Sequence, residues 1–275
     1  MLRSSRVLTL VSCLMASSIH AQTADVTTEL RLGVDAYEKS NFEKAIKYLE
    51  DVVSIDPAST VGHFYLGRTY DDWQCSTPNG CDTHWSGRVI QEYSRVLELD
   101  PAHKDALKCL AYFLYQSARF DAAEAFYRKA AKLDGNDPEA LYSIAVLDFH
   151  RANRMLIEEK SRLRLAWKQP LIGLPACNQV RAKILADVEE GIAMLTGTAE
   201  LMNDIDAQAH LDMLYRERAE LQCGDRLAYK RDLKSESQWW NRVCISYHDP
   251  KRVFRPRWIP GPPPPPPMRG NSCKW

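Results

Sequence analysis

Apolar and small residues return in a fixed order along the first half of the chain. The first block runs Leu32-Gly33, Ala45, Leu49 and Pro57. The second runs Leu66-Gly67, Tyr70, Val89, Tyr93 and Pro101, and the third Leu110-Ala111, Phe120, Ala123, Tyr127 and Gly135. The blocks close on similar segments: Ser54 to Pro57, Glu98 to Pro101 and Lys132 to Gly135. Pro101 and Gly135 lie 34 residues apart, and Pro57 and Pro101 lie 44 apart. The extra ten fall at the turn-forming stretch between Cys75 and Cys81. A period of this length marks stacked helical hairpins. Each block therefore predicts two antiparallel helices.

The residue types have a steric reason. Gly or Ala at the eighth position, with a small residue at the twentieth, lets the two helices approach closely. Leu, Phe and Tyr fill the seams, and a closing proline cannot continue the helix. One hairpin cannot bury its apolar face alone, so successive hairpins complete each other's cores. From Val26 to Gly135 the pattern resembles the tetratricopeptide repeat (TPR) family. The resemblance implies an all-α fold, an α-solenoid of antiparallel hairpins, and a role in binding other polypeptides.

Residues 138–151 continue the register as a fourth first helix, but no second helix with the signature follows. Met155 to Lys168 reads as a charged helix, and Gln169 to Ala176 as a loop. Asn178 to Asn203 reads as one or two helices. Asp206 to Glu220 and Arg226 to Val243 read as another antiparallel pair around Cys223-Gly-Asp225. The expected organisation is a signal peptide over 1–21, repeats over 22–152, degenerate helical pairs over 153–247 and a basic Pro-rich tail over 248–275. Pro262 to Pro267 in that tail favours polyproline II, as a stiff spacer or a docking ligand.

The first residues change where the chain is expected to work. A basic stretch with Arg3 and Arg6 precedes an apolar run, Val7 to Met15, and small residues lead to Ala21. That is the layout of a secretory signal peptide cleaved after Ala21. The run is far shorter than the about 20 residues a bilayer span needs. Leu10-Val-Ser-Cys13 also resembles a lipobox, which would make the chain a lipoprotein at Cys13. Either way the expectation is export, to the periplasm or beyond. The formal charges balance at 36 basic and 36 acidic residues, but unevenly. Gln22 to Pro250 holds 28 basic against 36 acidic residues, while Lys251 to Trp275 holds six basic and none acidic. An acidic body argues against nucleic acid as its ligand.

In an exported chain, cysteines are expected to pair. Cys75 with Cys81 would close a short loop, adding roughly 2 kcal/mol on the chain-entropy account. Cys177 with Cys223 would close a longer one for roughly 4 kcal/mol. Cys244 with Cys273 is a third candidate, and Cys109 reads as a small buried apolar residue. Cys75, Cys81, Asp82 and His84 offer zinc-ligand types, but their spacing is not a common zinc pattern and export favours oxidation. No metal is expected.

No catalytic motif stands out. GxGxxG, GxxxxGK[ST], HExxH, GxSxG and CxxCH are all missing, so no cofactor and no enzyme activity are expected. Glu158-Glu159 and Glu189-Glu190 are neighbours on a helix and point apart, so they read as solvated faces. In the TPR family the first helices line a concave groove. Carried over by repeat position, the resemblance assigns Phe64, Arg68, Asp71 and Asp72 to it, then Lys108, Tyr112, Tyr115 and Gln116. From the fourth helix it assigns Glu139, Tyr142, Val146, Phe149 and His150. An aromatic-rich groove suits an extended peptide or helix. The competing reading packs some of these aromatics against the next helix or the C-terminal pairs. Leu30 and Val34 stand where chaperone-tail binders of the family carry Lys and Asn, so no carboxylate clamp is expected.

Overall fold

The computed structural model describes residues 26–74, 76, 83–166, 169–202 and 205–248. Two of the regions read above, the N-terminal segment with Cys13 and the Pro-rich tail with Cys273, lie outside these residues, as do Cys75 and Cys81.

Within the described residues the chain is helical, with no strand. Helix α1 covers residues 26–38. It is followed by α2 (Phe42–Ile55), α3 (Thr60–Gln74), a 3-10 turn (Thr83–Trp85) and α4 (Ser86–Leu99). Next come α5 (Lys104–Gln116), α6 (Phe120–Leu133), α7 (Pro138–Arg162), α8 (Cys177–Met202), α9 (Ile205–Glu220) and α10 (Arg226–His248). The chain divides into two compact units, residues 1–113 and 114–275. In the first, α2 packs on α3 and α3 on α4; in the second, α6 packs on α7, α7 on α8 and α9, α8 on α9, and α9 on α10. Each unit is thus a succession of antiparallel helices, the α-solenoid arrangement.

The predicted small residues sit at the tight contacts. A Cβ on Gly33 would lie 2.7 Å from Leu49 Cγ, and one on Gly67 would lie 3.1 Å from the Tyr93 ring. Ala45, Val89, Ala111 and Ala123 are fully buried, as are Leu49, Tyr93 and Tyr127 at the seams. The hairpins are joined by a repeated device. Asp56, Asp100 and Asp134 each end a second helix, their backbone N–H donating to the carbonyl four residues back. Each carboxylate then accepts from the backbone N–H two residues on, at 3.0–3.2 Å. Proline or glycine follows, where a helix cannot or need not continue.

A different, left-handed turn follows the first helices, both within the sequence signature and where it fades. Ser40, Ala118, Arg164 and Cys223 all have φ between 50° and 57°. They follow the ends of α1, α5, α7 and α9, the first helices of their hairpins. After the first three, the next backbone N–H reaches back five residues (Asn41 to Ala36, Arg119 to Leu114, Leu165 to Lys160) in the Schellman pattern. The degenerate first helices α7 and α9 are thus also followed by a left-handed residue, α7 with the same five-back bond.

Three sequence readings are corrected. α7 does not stop at Arg151 but runs unbroken to Arg162, through position 152. Ala152 and Leu156 are buried on α8, and that packing carries the helix past the point where its signature ends. α8 is one helix, the first of the two alternatives read there, whereas α10 runs past Val243 to His248. Glu190 is half-exposed but not left to solvent alone: Arg128 donates two bonds to it at 2.7 and 2.8 Å. It belongs to a network in which Arg151 donates to Asp148, to Asp187 and, very closely, to Glu124. Asp148 is fully buried there, and burial together with the Glu190 charge pushes its carboxyl up to about 7. The network ties α6, α7 and α8.

Cys177 and Cys223 are joined, with Cα atoms 5.4 Å apart. The bridge fastens the start of α8 to the turn after α9, where Gly173 N–H donates to the Cys223 carbonyl at 2.7 Å. Cys244 is also disulfide-bonded. Cys109 carries a thiol and is half-buried rather than buried.

Candidate functional site

In the first unit, the face of the first helices gathers an aromatic and charged cluster. The Tyr37 hydroxyl donates to Asp72 at 2.5 Å. The Arg68 guanidinium lies over the Tyr37 ring, 5.2 Å from its centre, and 4.0 Å from Asp72. Tyr65 meets Tyr37 edge-on at 5.7 Å, and Phe64 leans on His103 at 4.9 Å. Phe64, Arg68, Lys108 and Tyr112 are all half-buried, with Lys108 Nζ 3.8 Å from Asp105. Burial and the adjacent charge of Asp72 push the Asp71 carboxyl up to about 7. Burial and the bond to Asp72 raise the Tyr37 phenol, so it stays a donor. Positioned rings, a guanidinium and carboxylates suit stacking and hydrogen bonding to a polypeptide.

Tyr37 was not assigned to this face from the sequence, although it occupies the twelfth position of the first repeat. Its repeat register is the signal that finds it. Pairing with Asp72 and Arg68 makes it the centre of the cluster.

In the second unit, Tyr115 lines a cavity of about 370 Å³ together with Phe120, Leu147, His150, Arg151 and Ile157. Phe120 and Ile157 are 40% and 50% exposed at its mouth. The Tyr115 ring tilts against Phe120 at 5.5 Å, and its hydroxyl lies 3.4 Å from His150 Nε2. Burial lowers the His150 pKa, so that ring is neutral at pH 7. The volume is near the low end for ligand sites, and exposed Phe120 and Ile157 beside exposed Asp121, Arg154 and Glu158 suit a single anchoring side chain.

Tyr142 and Phe149 are not on an open face. They are 9% and 2% exposed, because α9 covers them. Both meet the His210 ring edge-on, at 5.5 and 5.9 Å. Val146 is also buried, while His150, at the next register position, reaches the cavity. The fourth first helix thus spends its aromatic face on the degenerate hairpin behind it. No group of three or more His, Cys, Asp or Glu is placed to hold a metal among the described residues.

These features define a helical-repeat protein with half-exposed aromatic and charged side chains on its first helices. Residues 32–59 and 88–147 both match family models described as Tetratricopeptide repeat. Over these residues the chain carries tetratricopeptide repeats, a fold that supports protein-interaction scaffolding. Among solved structures it resembles MamA, with a TM-score of 0.54 at 14% identity, covering 84% of this chain and 98% of that one. It also resembles YrrB, described as a TPR protein with an unusual peptide-binding site, with a TM-score of 0.50 at 11% identity over 84% of this chain and 90% of that one. At such identities the likeness is one of fold. No curated protein sequence is significantly similar.

Proposed function

We infer that the protein is an exported scaffold that captures a polypeptide on the first helices of its repeats. The observation that carries this is the cluster of Tyr37, Arg68 and Asp72 with Phe64, Lys108 and Tyr112 on one face of the first unit. Its rings are held by contacts made within the protein, so little side-chain entropy is lost on binding. Arg68 and Asp72 supply a donor and an acceptor for the backbone of an extended segment. The likeness of fold to a peptide-binding TPR protein supports the same reading. The cavity beside Tyr115 offers a separate anchor point on the second unit.

The test is selection from a displayed peptide library against the natural sequence and an Arg68→Ala/Tyr112→Ala variant of unchanged thermal midpoint. Peptides enriched by the first and lost by the second support the assignment. Identical selections refute it. Export is tested by the N-terminus of the protein recovered from its host. A chain beginning at Gln22 supports cleavage by signal peptidase, a lipid-modified Cys13 supports the lipoprotein reading, and an intact Met1 refutes both.

A further inference from the structure

α10 carries five basic and two acidic residues, and it separates them completely. Both acids face inward onto α9. Asp232 is 4% exposed and accepts from Arg218 at 2.6 Å, while Glu236 is 3% exposed with Arg216 at 3.5 Å. All five cations (Arg226, Lys230, Arg231, Lys234 and Arg242) are exposed. None makes an ion pair with another described residue; Arg242 lies over the Trp239 ring. At about 100° per residue the five fall within an arc of about 160°. Leu227 and Ile245, 76% and 56% exposed, lie near the middle of that arc and about five turns apart. The outcome is a basic stripe about 29 Å long with aliphatic side chains along its centre.

A stripe of this kind is not needed for folding, because the opposite side of α10 supplies Ala228, Trp239 and Val243 to the core. Nor is it a general surplus of charge, since the body of the chain is acidic. Cations flanking exposed aliphatics on one helical face are the composition that lies flat on a bilayer surface. The cations meet anionic headgroups and the aliphatics enter the headgroup boundary. A nucleic acid would use the cations but gain little from Leu227 and Ile245. No described helix is long and apolar enough to cross a membrane, so attachment here would be peripheral. The sequence beyond α10 continues the chemistry, with six cations, no acid after Asp249, and Phe254, Trp258 and Ile259. Aromatic and basic side chains favour the membrane–water interface.

We propose that the outer face of α10 is a docking surface for an anionic lipid bilayer, independent of the polypeptide-binding face. The test is co-sedimentation of the full chain with vesicles of phosphatidylcholine alone and of phosphatidylcholine with phosphatidylglycerol. Binding is expected only to the second, and it should weaken with added salt. Lys230→Gln/Arg231→Gln/Lys234→Gln should lower the affinity by about fivefold per cation, more than a hundredfold together. Leu227→Ser/Ile245→Ser should remove the part of binding that survives salt. A chain ending at His248 should keep vesicle binding that the triple variant lacks. All these residues are exposed, and circular dichroism confirms folding of each variant. Equal binding to both vesicle types, binding unchanged in the triple variant, or complete loss on removing only the tail would each overturn the proposal. So would vesicles left unbound while duplex DNA or a polyglutamate peptide is retained. Peptide selection by the first unit should be unaffected by the α10 variants, so the two readings fail separately.

Discussion

Replacing Gly33 by alanine sets two effects of opposite sign against each other. In a helix interior the change should stabilise by about 1 kcal/mol, because alanine restricts the unfolded chain and favours helix. Here the added carbon would lie 2.7 Å from Leu49 Cγ and 2.9 Å from its Cδ2, inside any real contact distance. Leu49 is fully buried, so its branch point has no free space to enter. Overpacking of this kind costs about 1–3 kcal/mol. The steric term is the larger, and Gly33→Ala should destabilise by up to about 2 kcal/mol net. Gly197→Ala is the internal control. It lies within α8, on an exposed position with no atom within 4 Å of the new carbon. Only the propensity term remains there, and it should stabilise by about 1 kcal/mol. Urea unfolding followed by helical circular dichroism measures both, with equal m-values showing that the unfolded states are comparable. If Gly33→Ala stabilised as much as Gly197→Ala, α1 and α2 would not approach as described, and the packing logic of the repeat would fail at its first hairpin.

Cys177→Ser/Cys223→Ser should lower stability by up to about 4 kcal/mol, the chain-entropy estimate for a loop spanning 46 residues. At least the same loss should follow from reductant with the natural sequence, which also opens the disulfide at Cys244, and alkylation of Cys177 and Cys223 without prior reduction, read by peptide mass mapping, would refute the bridge. Ala118→Gly should stabilise by about 1 kcal/mol in thermal melts, since Ala118 holds φ of 57°, where a side chain is strained; a loss would show that the turn after α5 is not left-handed. His210 is fully buried, and burial pulls its pKa down to about 4. A histidine with a depressed folded-state pKa favours folding above its unfolded value near 6.5, and that contribution fades as pH falls from there towards 4. His210→Phe should flatten the loss of stability over that window, as read by denaturation at stepped pH. An unaltered pH profile would show that the ring is solvated.

The hairpins were legible because their signals are local: a glycine or alanine, a small residue and a helix stop, each at a fixed offset along the chain. Such signals report close helix approach, and the structure places Gly33, Gly67 and Ala111 at those approaches. The same locality explains why Tyr142 and Phe149 were misplaced. Their register positions equal those of Phe64 and Tyr115, and nothing within the fourth hairpin distinguishes them. What buries them is α9, more than fifty residues further on, whose His210 sits against both rings. Glu190 and Asp148 were hidden for the same reason, since their charges are answered by Arg128 and Arg151 from other helices. An opposite case is α10, where the ordering of acids and cations is written in the sequence but only acquires meaning once one face is covered. Asp232 and Glu236 are consumed by Arg218 and Arg216, and the stripe of cations is what that pairing leaves outside. A repeat signature thus finds the scaffold, whereas its binding faces depend on which neighbours the degenerate hairpins cover.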